Sequence, residues 1–150
     1  MEYVNYSREG FNKKLFNEIS NDNWIKPHGG LWACRADSTY QWIDWCKDSD
    51  FRLDKYKVPF MFELEDTANI LQIKTPEDFK LLCPYVIESY TDPIRSEISF
   101  RSIDFVKMAR DGYDGMEVFP VTGYPTIYWA LYGWDVDSIV LFNMHCIKTK

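Results

Sequence analysis

The 150-residue chain has no apolar run near the roughly 18 residues that a membrane-spanning helix requires, so no membrane association is expected. It is short of positive charge. Seventeen Lys and Arg face twenty-three Asp and Glu, a net charge of -6, which argues against non-specific binding to a phosphate backbone. It holds two histidines, and its four cysteines (Cys34, Cys46, Cys83, Cys146) include no C-x-x-C pair. That pattern suits a reducing cytoplasm better than a disulfide framework, and it sets out no metal site. The opening "MEYVNYSREG" lacks the basic and apolar regions of a secretory leader, so a cytoplasmic location is expected. Internal repeats and low-complexity linkers are also missing, and one domain over 1–150 is the simplest reading.

What is abundant is aromatic. Six Trp, ten Tyr and ten Phe make up 17% of the chain. Such side chains fill cores and also wall pockets that stack planar rings. Strands are predicted near 2–7, 31–35, 58–64, 69–73, 115–119 and 138–143, with 58–64 and 69–73 as a hairpin or successive strands. Residues 8–25 read as a polar helix or an irregular lead-in. Helices are predicted near 38–48, with Ser38 as a possible cap, near 76–82 and near 102–111. In "KTPEDFKLL" the order Thr75, Pro76, Glu77, Asp78 is a strong helix start. Ile103, Phe105, Val106 and Ala109 share one face of the last helix, and Gly112 follows as its stop. Strand and helix runs mix without a steady βαβα alternation, so the class is α+β.

Three stretches invite a functional reading. "KPHGGLWAC" (26–34) sets Gly29 and Gly30 before Leu31 and Trp32. Glycine lets backbone N–H groups face a phosphate or a carboxamide, and Lys26 and Arg35 can add charge for a pyrophosphate. The plainer alternative is a tight turn leading into a core strand. The stretch is neither G-x-G-x-x-G nor a loop ending in G-K-[ST]. "DGYDGMEV" (111–118) puts Glu117 beside a glycine corner, aimed into a cleft or lying at a solvated edge. "YGWDVDSIVLFN" (132–143) carries Asp135 and Asp137 two apart, on one face if extended. With no nearby His or further acid to complete a ligand set, a turn-capping pair is the better reading than a metal. Trp42, Trp45, Trp129 and Trp134 are core or pocket wall.

Taken in order, "KPHGGLWAC…STYQWIDWC", "ARDGYDGMEV" and "LYGWDVDSIVLFN" are similar to small, mostly phage- or bacterium-encoded proteins that look like ADP-ribosyltransferase-fold domains. The resemblance implies a split, mostly antiparallel sheet that grips NAD as substrate in a central cleft, without a metal. It implies that Glu117 is the carboxylate that holds the nicotinamide ribose and stabilises the oxocarbenium-like state. The glycine loop with Trp32 would meet nicotinamide and its ribose, and Tyr40 or Trp42 would supply a stacking ring. The acceptor would be a host protein or nucleic acid, as for a toxin or an anti-defence effector, or water in a glycohydrolase. The sequence also departs from the family. Its first strand offers Asn5, Tyr6 and Arg8 where an Arg or His anchor is expected. Ala33 and Cys34 stand in place of a Ser-Thr-Ser signature, and Gly115 stands two residues before Glu117 where arginine-modifying members carry Glu or Gln. These departures keep open an alternative, a non-catalytic interaction or inhibitor protein that binds a nucleotide or a host enzyme. The expectation for the site is a single cleft with the glycine loop facing Glu117.

Overall fold

A computed structural model describes residues 1–21, 26–91, 93–94, 98–119, 131 and 133–148. Its largest element is a seven-stranded sheet. In chain order the strands of the described residues are β1 (Glu2–Ser7), β2 (Leu31–Arg35), β3 (Val58–Leu64), β4 (Ile70–Ile73), β5 (Val86–Thr91), β6 (Ile98–Ile103), β7 (Gly115–Val118), β8 (Ser138–Leu141) and β9 (Ile147–Lys148). The sheet runs β4-β7-β8-β2-β1-β3-β9, and β5 and β6 form a separate antiparallel pair. Within the sheet only β4 and β7 run parallel. Among the described residues, two short helices, α1 (Trp42–Asp48) and α2 (Phe105–Arg110), and three 3-10 turns join these strands in an α+β fold. No helix among the described residues is long and apolar enough to cross a membrane.

The central strands are covered on both faces, which is why they read as continuous apolar runs rather than as clean alternation. Along β8, Ile139 and Leu141 enter one cluster with Tyr3, Leu31, Ala33 and Phe62. Val140 and Phe142 enter another with Leu71, Met116, Val118, Phe105, Met108 and Trp134. A period of two thus sends neighbouring residues into separate cores.

The predicted strands all form, with ends shifted by a residue or two, but their partners differ from the local reading. β3 and β4 are not a hairpin. β3 pairs with β1 from Val58 to Glu63, while β4 lies at the far edge of the sheet against β7. The link between them is anchored elsewhere: Glu65 N–H donates to the Cys146 carbonyl and Asn69 N–H to the Asp114 carboxylate. Helix boundaries also move. α1 starts after Gln41, whose N–H donates to Asp44, and Ser38 donates instead to the Tyr40 carbonyl. Residues Pro76–Leu81 form a 3-10 helix rather than an α-helix, and Pro84 soon afterwards bars a longer one. α2 begins only at Phe105, because Asp104 caps it by accepting from Lys107 N–H, and this leaves Ile103 in β6. Gly112 ends it at φ +98°. The lead-in over 8–25 has one 3-10 turn, Lys13–Leu15, and its residues 22–25 and Trp129 lie outside the described residues.

Candidate functional site

β1 and β2 are paired only at Tyr3–Arg35 and Val4–Cys34. Beyond Val4, β1 stays with β3 and β2 stays with β8, so the sheet forks. In the fork the Asn5 side-chain amide donates to the Trp32 carbonyl at 2.7 Å, a side-chain bond in place of a ladder bond. A pocket of about 440 Å³ occupies this wedge. Val4 and Cys34 line it at the junction, Trp32 and Trp42 wall it, and Lys26 and Asp135 supply its charge.

The glycine loop is therefore at the pocket, but its glycines answer first to the protein itself. Gly29 and Gly30 adopt φ +80° and +72°. A Cβ on Gly29 would lie 2.3 Å from the Glu18 carbonyl oxygen, and one on Gly30 would lie 2.7 Å from that of Leu141. The Gly30 N–H donates to the Asn17 carbonyl, and His28 bridges to Ser20. These positions need glycine for left-handed backbone and for the close approach of neighbouring chain.

Lys26 sits between the two indoles, its Nζ 5.5 Å from the Trp32 centroid and 5.9 Å from that of Trp42. It pairs with Asp135 at 3.4 Å. Burial lowers the pKa of its ammonium, and Asp135 pulls it back in part. Trp42 is held by stacking on Trp45 at 4.8 Å and 10°, with Phe51 and Tyr56 edge-on. Trp32 packs against the buried Trp134. The two indole walls are thus pre-ordered. Tyr40 is elsewhere, its hydroxyl bonded to Asp48. Leu31 lines the pocket.

Glu117 and Arg35 form a second cluster. Glu117 is 1% exposed and accepts from Arg35 Nε (2.6 Å) and Nη2 (3.0 Å), Gln72 Nε2 (2.8 Å) and the Tyr3 hydroxyl (3.2 Å). The carboxylate holds the Arg35 charge well above its ordinary pKa, and burial beside this anion pushes the Tyr3 hydroxyl up. The register fixes which side this cluster occupies. Glu117 is opposite Ile139, itself opposite Ala33, whereas Met116 is opposite Val140, itself opposite Trp32. Directly paired residues share a face, so Glu117 and Trp32 project to opposite faces of the sheet.

The expectation of one cleft with the glycine loop facing Glu117 is thus corrected. The structure brings together Lys26, Gly30, Leu31, Trp32 and Trp42, and separately Arg35 with Glu117. The reason is parity: a strand residue two positions from Gly115 shares that residue's face, and the face that receives Trp32 is the alternate one. Asp135, which the sequence singled out only as half of an acidic pair, is the polar partner inside the pocket. Gln72 and Tyr3 carry no local signal, since each matters through a partner distant in sequence. No group of three or more His, Cys, Asp or Glu among the described residues is placed to hold a metal ion. No protein-family model matches this chain, and searches of curated proteins and of solved structures return no significant match.

Proposed function

We propose that this protein binds a nicotinamide nucleotide such as NAD in the fork between β1 and β2, on a split sheet of the ADP-ribosyltransferase type. One observation carries the reading: the fork pocket has two pre-ordered indole walls, with Lys26 between them, in a volume suited to a flat heterocycle and its sugar. The chain binds without turnover in this reading, because the Glu117 charge is engaged by Arg35 on the other face. All four cysteines are free, as a reducing compartment such as the cytoplasm would keep them.

A second reading is ADP-ribosyl transfer to a host macromolecule, or NAD hydrolysis, with Glu117 as the essential carboxylate. The observation favouring it is that Arg35, Gln72 and Tyr3 hold that carboxylate in one orientation, as stabilisation of a cationic sugar requires. The two readings put the reacting end of NAD on different faces of the sheet.

Tryptophan fluorescence titration with NAD, together with nicotinamide release with and without host lysate, tests both. Saturable quenching weakened about tenfold or more by Trp42→Ala, with no release, is the expected result. Release that falls by about 10²–10³ in Glu117→Gln would establish transfer instead. Absence of any NAD binding would remove both.

A further inference from the structure

The polar groups around the fork pocket are not equally free. The Asn5 amide is bonded to the Trp32 carbonyl, the Tyr6 hydroxyl to Gln41, and the Ser138 hydroxyl to the Val136 carbonyl. Lys26 and Asp135 differ. They hydrogen-bond only each other among the described residues, through one bond of 3.4 Å, longer than a good charge-assisted hydrogen bond. An ammonium has three donors and a carboxylate about four acceptor positions, so most of their capacity is unused among the described residues. Both line the pocket beside the two indole faces.

We infer that the Lys26–Asp135 pair is a recognition edge for a neutral planar ring that carries an acceptor beside an NH2 donor, as in a primary aromatic amide or an aminopyrimidine edge, and that Asp135 rejects the corresponding carboxylate. The acceptor oxygen or ring nitrogen takes a hydrogen bond from Lys26 Nζ, and the NH2 group donates to Asp135, while Trp32 and Trp42 hold the ring flat. The charge balance sets the selectivity. Lys26 and Asp135 already neutralise one another, so an added anion finds no unshared cation and meets the Asp135 charge. An added cation is refused by Lys26 in the same way. Burying an uncompensated charge beside two indoles is more costly than burying a neutral group whose bonds are all made. The inference rests on the pocket of the proposed function but on neither the dinucleotide nor its cleavage.

The test uses the full chain and small probes, followed by tryptophan fluorescence and by ligand-observed NMR. Nicotinamide and benzamide, with adenine and cytosine as the aminopyrimidine arm, are compared with nicotinate, benzoate and benzylamine. At least one neutral arm is expected to bind about tenfold or more tightly than every charged probe, and the arm that does so identifies the source of the edge. Asp135→Asn keeps the shape but removes the negative charge, and should narrow the preference for nicotinamide over nicotinate to within about threefold. Lys26→Met serves as the second variant. It should weaken the neutral rings about tenfold and abolish nicotinate binding, and circular dichroism reports whether either variant is folded. Equal affinity for nicotinamide and nicotinate, unchanged selectivity in a folded Asp135→Asn, or no neutral ring bound would overturn the inference. NAD binding without this selectivity would leave the proposed function standing alone. Selectivity without NAD binding would leave only the edge.

Discussion

Arg35 grips Glu117 through two parallel hydrogen bonds, Nε to Oε1 at 2.6 Å and Nη2 to Oε2 at 3.0 Å, across β8. With Tyr3 on β1 and Gln72 on β4 joined to the same carboxylate, the cluster ties the two halves of a forked sheet whose direct junction is two residue pairs wide. Glu117→Gln replaces the anion by a group whose NH2 must face the Arg35 donors. The expected loss is about 2–4 kcal/mol, read as a lower urea midpoint, because removing one partner leaves the other charge uncompensated. Affinity for a ligand of the fork pocket should change by less than about threefold, since Glu117 projects to the face opposite Trp32. Arg35→Lys should destabilise in the same direction, because an ammonium cannot reproduce the forked pair.

The glycine loop separates a folding role from a binding role. Gly29→Ala places a Cβ 2.3 Å from the Glu18 carbonyl oxygen at φ +80°, so strain and collision add. We expect a loss of about 2–4 kcal/mol on thermal or chemical denaturation. Gly112→Ala, at φ +98° with nothing within 4 Å, should lose only about 1 kcal/mol. A stable Gly29→Ala protein deficient only in ligand binding would refute the packing role.

Alkaline pH should weaken the fold. Burial pushes the thiols of Cys34 and Cys146 up to about 11 from an ordinary 9.0. Between those values the unfolded chain loses protons that the native state retains, so stability is full below about pH 9 and declines as pH rises to about 11. Each thiol accounts for up to about 2 kcal/mol of the decline. Cys34→Ala and Cys146→Ala should each flatten the stability profile across pH 9–11, and an unchanged slope would exclude these thiols. At pH 8 the exposed Cys83 should be alkylated first, with Cys34 and Cys146 protected until unfolding.

Asn5 holds the fork at a set width. Asn5→Ala leaves the Trp32 carbonyl without its 2.7 Å donor, and we expect a stability loss of about 1–2 kcal/mol. Because Asn5 and Trp32 both line the pocket, ring-ligand affinity should fall as well, by about threefold to tenfold. Loss of stability with affinity unchanged would show that the bond does not shape the pocket.

Much of the fold was legible along the chain, for reasons that can be located. Val58–Leu64 and Gly115–Val118 are apolar runs bounded by turn residues, and such runs must become strands wherever they pair. β5, β6 and β9 went unread. Val86–Thr91 and Ile98–Ile103 pair with each other outside the main sheet, and Ile147–Lys148 is two residues long. Of the three, only Ile147–Lys148 is too short to carry a pattern; Ile98–Ile103 alternates apolar and polar residues, and Val86–Thr91 is rich in β-branched and aromatic ones.

Sequence alone was enough for the α+β class, the principal strands and a tight turn at Gly29–Gly30 that leads into a strand. Each depends on backbone preference or burial over a few neighbouring residues. That Lys26 meets Asp135, and that Arg35, Gln72 and Tyr3 converge on Glu117, depends on long-range packing. So does the projection of Glu117 and Trp32 to opposite faces. Which face a strand residue takes depends on register against partners far along the chain, and a shift of one residue would have reversed the assignment.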